Sequence, residues 1–339
     1  MATEYDAILI VGFGGPERRE DVVPFLENVT RGRNIPRERL LTVAEHYHHF
    51  GGKSPLNDQV RDLIAALRPA LKERGIDLPI AWGNRNWHPF LVDALQQLSA
   101  AGARRVLALV LAAYSSYSSC RQYREDIERA REACGPEAPR IDKIRVFFNH
   151  PGFVAANADR LREALAKIPA ERRSRAHMAF TAHSIPLSMA QTSRYADQLN
   201  ETCRLVCERL GIPADHWALV YQSRSGRPSD PWLGPDISDH LAALSAANVT
   251  DVALLPVGFL SDHLEVLYDL DIEAQQKSHE LGVNLVRAAT VGTHPQFVDA
   301  LADLVEERVN ELPSRSAIGT FEAWPDLCPD DCCPAPRRA

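Results

Sequence analysis

Residues 257–273 read VGFLSDHLEVLYDLDIE, and two patterns that decide the fold meet in this segment. The apolar run at 252–257 predicts a strand buried in a parallel sheet. After a Gly-Phe turn the apolar residues recur at helical spacing, with Leu264, Leu267 and Leu270 facing inward. The segment therefore predicts a buried strand that leads through a short turn into a helix.

Four acidic residues lie on that predicted helix, and their spacing places them on one face: Asp262, Glu265, Asp269 and Glu273. Like charges at this spacing repel one another and weaken a helix, so a positive partner is expected. Divalent cations bind carboxylates and water, which makes a metal path one interpretation. The alternative is an acidic face in contact with solvent. We favour the metal because the face begins where a buried strand ends, the edge at which open α/β sheets bind their ligands.

Length and composition narrow the class of protein. The chain has 339 residues, about twice a typical domain, which predicts two domains. Its net charge of −7 and the lack of a long basic segment exclude a nucleic-acid-binding class. The N-terminus does not resemble a signal peptide and no long apolar run occurs, so we expect a cytoplasmic protein without a transmembrane segment. In that compartment the seven cysteines indicate core thiols, catalysis or metal binding rather than disulfides.

Apolar runs alternate with helical patterns along the chain. Segments of helical period, such as 90–95, separate the expected strands. This alternation predicts parallel, doubly wound sheets. Strands are expected at 7–13, 80–84, 106–111, 144–148, 178–181, 218–221 and 252–257.

The second half of the chain repeats the first. Residues 150–159 match 294–303 at a constant offset, and the strand near Val106 parallels the strand near Val252. The repeat predicts an α/β fold of two similar Rossmann-like lobes, each a parallel sheet flanked by helices, with a cleft between the carboxyl ends of their strands. The counterpart of the acidic helix in the first lobe is 112–123, which has hydroxyl groups where the second lobe has carboxylates.

We expect the chain to divide into three segments. Residues 1–149 form the first lobe, residues 150–312 the second, and residues 313–339 a tail that contains cysteines. Helices near 150–165 and 295–312 can exchange between the lobes.

Three features suggest a ligand site, and each has a structural alternative. His183 lies at a predicted strand end, where it is suited to proton transfer or metal ligation, although a lone histidine is often structural. The stretch 24–53 mixes basic and aromatic residues, which suits a flat apolar ligand with carboxylates, or else an ordinary polar loop. Trp232 lies between prolines and either stacks on a planar ring or packs in the core.

Six motifs stand in order between Tyr5 and Val309. They read GGPE (14–17), GGKSP (51–55), TAHSIP (181–186), QSR (222–224), PWLGP (231–235) and SDHLE (261–265). With this order and spacing the chain resembles a ferrochelatase. Residues 25–33 and 83–87 are most similar to the actinobacterial branch of that family, whose members act on coproporphyrin III.

The resemblance implies a chelatase-type fold and a lyase of heme biosynthesis that inserts Fe²⁺ into a porphyrin. Coproporphyrin III, giving coproheme, is the expected substrate, and protoporphyrin IX is the alternative. A cobalt or nickel chelatase for another tetrapyrrole is the next alternative, because His and carboxylates bind several divalent ions. A downstream enzyme of heme synthesis is an implied partner. A two-lobed binding protein without chemistry is disfavoured, because it needs no titratable residues across its cleft.

The resemblance also implies roles for individual residues. The position of His183 faces the macrocycle and that of Glu265 lies opposite, so both are expected to remove pyrrole protons and deliver the metal. Asp269 and Glu273 then lead hydrated iron inward. Tight packing by Phe13, by Trp232 and by the stretch before Ser54 is expected to bend the ring.

Substrate propionates are expected at family positions that correspond to Arg31, Ser54 and Tyr123. The sequence departs from the family at two places. Some relatives have tyrosine at the position of Phe13, so no phenolate ligates iron there. His46 stands where some relatives have arginine, which puts carboxylate anchoring at that end in doubt.

Three cysteines, Cys328, Cys332 and Cys333, lie within six residues of the tail. In relatives with a [2Fe-2S] cluster, three C-terminal cysteines are joined by one internal cysteine, and Cys120 occupies that position. The resemblance therefore implies a cluster at these four thiols, although the adjacent pair can both ligate only if the backbone turns sharply.

Other states of the tail stay open at this point. A zinc ion and a disordered tail with reactive thiols are both alternatives. Cys203 and Cys207 are four residues apart and would be substitute ligands, although small apolar core residues are the better interpretation.

Overall fold

The computed structural model describes residues 4–32, 35–225 and 229–335. Arg33, which belongs to one of the segments compared with the actinobacterial branch, lies outside these residues. The described chain forms two four-stranded sheets in which every pairing is parallel. The first sheet has β1 (Ala7–Gly12), β2 (Ile80–Asn84), β3 (Arg105–Val110) and β4 (Arg140–Lys143), and the second has β5 (His177–His183), β6 (Trp217–Gln222), β7 (Asp251–Leu255) and β8 (Asn284–Arg287).

The two sheets share one topology, with strand order β2-β1-β3-β4 in the first and β6-β5-β7-β8 in the second. All residues of β1 and β7 are buried, as expected of central parallel strands that helices cover on both faces. The prediction of two similar α/β lobes with parallel sheets is therefore confirmed. The division at residue 149 and the start of the tail at residue 313 stay predictions.

Helices cover both sheets. The α-helices are α1 (Val22–Val29), α2 (Arg37–His49), α3 (Leu56–Glu73), α4 (Leu91–Ala100), α5 (Gln122–Cys134), α6 (Pro151–Ala166), α7 (Leu187–Ala190), α8 (Tyr195–Leu210), α9 (Ile237–Ala246), α10 (Leu264–Val266), α11 (Gln275–Leu281) and α12 (Pro295–Val309). Short 3₁₀ turns lie at Arg19–Asp21, Arg173–Arg175 and Ala214–His216, and π-helical segments at Tyr117–Arg121 and Leu267–Ala274. No helix in the described ranges is both long enough and apolar enough to cross a bilayer.

One predicted strand does not form, and one strand that does form was not predicted. The strand expected at 144–148 does not form, because β4 ends at Lys143 and the following residues pair with no strand. Phe147 and Phe148 are fully buried all the same, so core packing produced the apolar run that was read as a strand. Strand β8 was missed because its four residues mix polar and apolar side chains.

The sequence repeat appears in the structure as a reciprocal contact between α6 and α12. His150 begins α6 and its Nε2 lies 3.8 Å from an oxygen of Asp303 in α12. His294 begins α12 and its Nε2 lies 3.5 Å from an oxygen of Asp159 in α6. Gly152 permits this close crossing, since a Cβ there would lie 2.6 Å from the carbonyl oxygen of Gln296. The repeated motif therefore builds the contact between its own two copies.

Residues 310–335, the described part of the chain after α12, form no helix or strand but pack on the core. The rings of Phe321 and Trp324 lie 5.5 and 6.2 Å from that of Phe148. Arg145 and Glu307, whose side chains are almost fully buried, form a two-bond ion pair with both contacts at 3.0 Å. Glu307 also accepts a hydrogen bond from the Ser316 amide at 2.9 Å, so this pair joins the sheet, α12 and the tail.

We predict that Glu307→Gln lowers the free energy of unfolding by about 3–5 kcal/mol, because it leaves the Arg145 guanidinium buried without a counter-charge. Urea denaturation followed by circular dichroism measures the change. The control is Glu163→Gln, the same replacement at an exposed position of α6, expected to change stability by less than about 0.5 kcal/mol. An effect of Glu307→Gln no larger than that of the control would contradict the prediction.

Candidate active site

A group of polar and aromatic side chains lies where neighbouring strands of both sheets end, the central strands β1 and β5 and the edge strands β2 and β6. Phe13 follows β1 and Arg85 follows β2 in the first sheet. His183 ends β5 and Ser223 follows β6 in the second sheet. Carboxyl ends of parallel strands are the usual ligand-binding edge of α/β sheets, so this cleft is the candidate site.

His183 is held with one ring nitrogen free. Its Nδ1 lies 2.5 Å from the carbonyl oxygen of Ser184, and because that oxygen only accepts, Nδ1 carries the hydrogen. The Tyr195 hydroxyl donates to the His183 carbonyl at 3.1 Å and fixes the backbone. In the neutral imidazole Nε2 then has the lone pair, and it lies 3.7 Å from an oxygen of Glu265. Both side chains are open to the cleft, with exposed fractions of 36% and 48%.

Glu265 reaches His183 because the turn after β7 passes directly over the end of β5. Gly258 lies in this turn, and a Cβ there would be 2.6 Å from the Cβ of Ala182 and 2.7 Å from its Cα. The Gly258 amide donates to the Thr181 carbonyl at 3.0 Å. Glycine is therefore required at this crossing, which places the predicted histidine and glutamate side by side.

The predicted acidic helix is π-helical from Leu267 to Ala274, a backbone form often found at functional sites. Asp269 accepts hydrogen bonds from the Ser223 hydroxyl and, at 3.3 Å, from Gln222 Nε2. Burial raises the pKa of Asp269 to about 7, and the charges of Glu265 and Glu273 add to this rise while the two hydrogen bonds oppose it. Partial burial also raises the pKa of Glu273.

One member of the predicted acidic face does not belong to it. Asp262 precedes α10 and so lies outside the helix, and its carboxylate lies 3.1 Å from Arg287 Nη1. Arg287 also binds Asp271 through two contacts of 2.5 and 2.8 Å. The expectation of four residues on one face was therefore wrong for Asp262, because a cation from β8 is close enough to pair with it.

The stretch 24–53 covers this acidic segment. Buried residues of α1 and α2 pack with Leu264 of α10 in one apolar cluster, and Leu267 packs against it. The ring of His46 stacks on that of Tyr268 with centroids 3.8 Å apart and planes 7° from parallel. His46, which stands where some relatives have arginine, therefore contacts the π-helical segment.

Two residues near the site, Tyr47 and Arg85, were not predicted from the sequence. Tyr47 is buried beside the acids, and burial together with the charges of Glu265 and Asp269 raises its pKa. Arg85 extends over the Tyr123 ring at 5.0 Å and the Phe13 ring at 5.9 Å. The motif GNRNW contained Arg85, but nothing in the sequence indicated which rings it would meet.

Arg85 also sets the electrostatics of its surroundings. Its Nε lies 3.1 Å from a buried oxygen of Asp126, whose pKa is raised by burial. Burial raises the pKa of Tyr123 to about 12, against the effect of the Arg85 charge. Tyr123 is therefore a neutral hydroxyl, and Phe13, which is 40% exposed, presents an apolar ring beside it.

The other predicted ligand residues occupy different parts of the cleft. Ser54 is buried, and a Cβ on Gly15 would lie 2.8 Å from its Cβ. Arg31 is exposed at the end of α1 and donates to the Asn28 side chain. Trp232 pairs with Pro186 in a short bridge beside the His183 loop, and its buried Nε1 has no hydrogen-bond partner among the described residues.

The four cysteines predicted as ligands meet at a second site. Cys120, Cys328, Cys332 and Cys333 line one pocket between α5 and the tail. A hydrogen bond between the Cys120 and Cys328 thiols raises the pKa of Cys120, and it lowers the pKa of Cys328. Cys333 has a φ of 50°, in the left-handed region, and its sulfur lies 3.6 Å from that of Cys332.

Among the residues that the structure describes, no three His, Cys, Asp or Glu side chains are spaced to hold a metal ion. The thiols of Cys332 and Cys333 are 3.6 Å apart, and the thiol of Cys120 is hydrogen-bonded to that of Cys328. Lys143, Arg121 and Arg124 lie around the pocket, but their charges do not outweigh the hydrogen bond to Cys328 and the burial that raise the pKa of Cys120, or the burial that raises the pKa of Cys333 to about 12. Cys203 and Cys207 are buried elsewhere in the core.

Comparisons with known proteins agree with this geometry. The family described as Ferrochelatase matches residues 5–309. A ferrochelatase of Rhodopirellula baltica is 53% identical over 336 residues, which cover 98% of this chain and 95% of that protein. A coproporphyrin III ferrochelatase of Streptomyces coelicolor is 52% identical over 362 residues, covering 100% of this chain and 96% of the relative.

A solved structure extends the likeness to the fold. SirB from Bacillus subtilis with Fe³⁺ superposes with a TM-score of 0.56 at 14% identity, over 90% of this chain and 96% of SirB. This similarity concerns the fold alone. The match across residues 5–309, together with relatives about half identical over nearly their whole length, shows that the chain belongs to the ferrochelatase family.

Proposed function

We propose that this porphyrin metal chelatase inserts ferrous iron into coproporphyrin III and releases two protons, giving coproheme in heme biosynthesis. The observation that carries the proposal is the contact of 3.7 Å between His183 Nε2 and the Glu265 carboxylate at the open strand ends. The name of the Streptomyces coelicolor relative supports coproporphyrin III as the substrate.

His183 begins proton removal in this proposal. Its Nδ1 hydrogen is engaged by the Ser184 carbonyl, so Nε2 presents a lone pair toward the cleft. An imidazole has the pKa that general-base catalysis near neutral pH requires. Each pyrrole proton moves to Nε2 as iron approaches the ring nitrogens, and Glu265 accepts it from the imidazolium. The porphyrin loses two N–H bonds and gains its bonds to iron, which balances the charge of the divalent ion.

Asp269 and Glu273 guide the iron toward Glu265. The raised pKa of Asp269 reflects a burial cost that a nearby cation would offset. Carboxylates bind divalent ions while water remains on the metal, so the ion can lose its water in steps along Glu273, Asp269 and Glu265. Fe²⁺ is here a substrate that passes along the segment and leaves with the product.

Aromatic and apolar groups hold the ring. Phe13 and Trp232 pack against its faces, with the cluster formed by α1 and α2 closing the cleft. Arg31, Ser54 and Tyr123 bind propionates, because the hydroxyl of Tyr123 is neutral and that of Ser54 is buried near the strand ends. Coproporphyrin III has more propionates than protoporphyrin IX and therefore uses more of these anchors.

We further propose that Cys120, Cys328, Cys332 and Cys333 hold a [2Fe-2S] cluster. Their convergence on one pocket and the left-handed turn at Cys333 support this assignment. Arg124 anchors the tail by donating to the Cys328 carbonyl at 3.3 Å and to Asp330 at 2.6 Å. When bound, such a cluster supplies one-electron redox chemistry.

The first prediction concerns catalysis. Purified protein converts coproporphyrin III and Fe²⁺ to the metal complex faster than protoporphyrin IX, and His183→Ala and Glu265→Gln each lower kcat by about 100-fold or more. The Soret absorbance measures the rate under anaerobic conditions.

Matched controls for this experiment lie on α11. His279→Ala and Glu280→Gln make comparable changes at exposed positions and keep the wild-type rate. Unaltered metalation by both cleft variants would refute the proposed roles, and faster turnover of protoporphyrin IX would refute the substrate.

The second prediction concerns the pH dependence of stability. Because the folded state raises the pKa of Asp269 from 3.8 to about 7, it binds a proton that the unfolded chain has lost in this interval. Wild-type stability from this group is present below about pH 4 and is lost as the pH rises to about 7. Asp269→Asn does not titrate, so it raises the melting temperature by about 2–4 °C or more at pH 8 and by less at pH 5.

Scanning calorimetry at both pH values measures this difference. The control Asp239→Asn, at an exposed position of α9, gives the same small change at pH 5 and pH 8. A stabilisation by Asp269→Asn that is equal at the two pH values would exclude the proposed burial cost.

The third prediction concerns the cysteines. Anaerobically purified protein contains about two irons and two acid-labile sulfides per chain, with visible thiolate-to-iron absorbance. Cys120→Ser loses both, whereas Cys134→Ser, a thiol outside the pocket that contacts the Val92 carbonyl, retains them. A wild-type protein without colour or sulfide would disprove the cluster.

A further inference from the structure

We propose that Gln59 is a positioning residue that joins the first lobe to the iron-side wall of the cleft. Gln59 lies in the first turns of α3, and its side chain contacts the backbone of Asp262 in the turn that precedes α10. This inference rests on the proposed function, because it concerns the placement of Glu265 for iron.

The contact uses both ends of one amide group. The Asp262 N–H donates to Gln59 Oε1 at 3.0 Å, and Gln59 Nε2 donates to the Asp262 carbonyl at 3.3 Å. A single side chain thus satisfies both backbone groups of one residue, as a neighbouring strand would. The two residues are separated by 203 positions, so this pair fixes the turn relative to a helix of the other lobe.

The same turn is held from its own lobe by Arg287. The Arg287 guanidinium contacts the Asp262 carboxylate at 3.1 Å and binds Asp271 within the π-helical segment. The Asp262 backbone is therefore fixed by one lobe and its side chain by the other. Glu265 is only three residues further along, so a shift of this turn moves the carboxylate away from His183.

Gln59 also connects the proposed propionate anchor at Ser54 with the turn that precedes Glu265. Ser54, a proposed propionate anchor, precedes α3 and lies five residues before Gln59. Asn57, between them, binds the Gly15 backbone through contacts of 3.2 and 3.3 Å. The beginning of α3 is thus fixed to the first lobe beside the porphyrin. A porphyrin carboxylate bound there stabilises the same helical turn that positions Asp262, so porphyrin binding prepares the iron side.

The test is the Gln59→Ala variant. Loss of both hydrogen bonds frees the turn, so the KM for Fe²⁺ rises about tenfold or more, as for other residues that orient metal ligands. The dissociation constant for coproporphyrin III, measured by fluorescence quenching without iron, and the melting temperature stay at their wild-type values. This split separates positioning of the iron side from a general structural role.

Asp62→Ala is the matched control, an exposed position on the same helix that leaves all three quantities unchanged. An unchanged KM for Fe²⁺ in Gln59→Ala would overturn the proposal. So would a rise accompanied by weaker porphyrin binding or a lower melting temperature. The experiment is separate from the catalytic test, because normal rates in His183→Ala and Glu265→Gln would refute the proposed function whatever Gln59→Ala does.

Discussion

The close crossing of two strand ends is the constraint on which the candidate site depends. Gly258, in the turn after β7, touches the backbone of Ala182 at the end of β5, and any side chain there would collide with it. Only this approach brings the segment containing Glu265 to within 3.7 Å of His183. The site is thus a consequence of sheet geometry, since two adjacent parallel strands end together and one of them must turn across the other.

Carboxylates that lie close together at such a crossing repel one another, and only some of them are paired with an arginine. Arg287 forms ion pairs with Asp262 and Asp271. Glu265, Asp269 and Glu273 receive no such cation among the described ion pairs, and Asp269 has only neutral donors from Gln222 and Ser223. The resulting rise in the pKa of Asp269 is an electrostatic cost that a divalent substrate ion would relieve. In the proposed function, the acids that guide iron are those that Arg287 does not pair.

Much of this arrangement could be predicted from sequence, and the failures have physical causes. The two lobes were predicted correctly because their signals can be read directly from the sequence. Buried parallel strands appear as continuous apolar runs, and the repeat appears as a constant offset between matching segments. His183 and Glu265 followed from strand ends and from the family motifs. The contacts of Arg287 and Gln59 were not predicted, since pairings between groups 16, 25 and 203 residues apart leave no periodic pattern in either segment. The segment 144–148 has the apolar residues of a strand, but after Ile144 its backbone leaves the sheet, because the Arg145 amide donates to the Asp326 carboxylate and the Phe147 amide to the Ala113 carbonyl.

The internal repeat also explains why one chain offers two kinds of ligand group. Each lobe has a π-helical segment after its third strand in sequence, Tyr117–Arg121 following β3 and Leu267–Ala274 following β7. In the second lobe this segment directs carboxylates into the cleft. In the first lobe it is capped by Ser116 and Ser119 and buries Cys120 toward the tail pocket. The π-helical segment therefore carries carboxylate oxygens, which are hard donors, in the second lobe and a thiol, which is a soft donor, in the first. The two lobes share one topology, and their chemistry differs because their side chains differ.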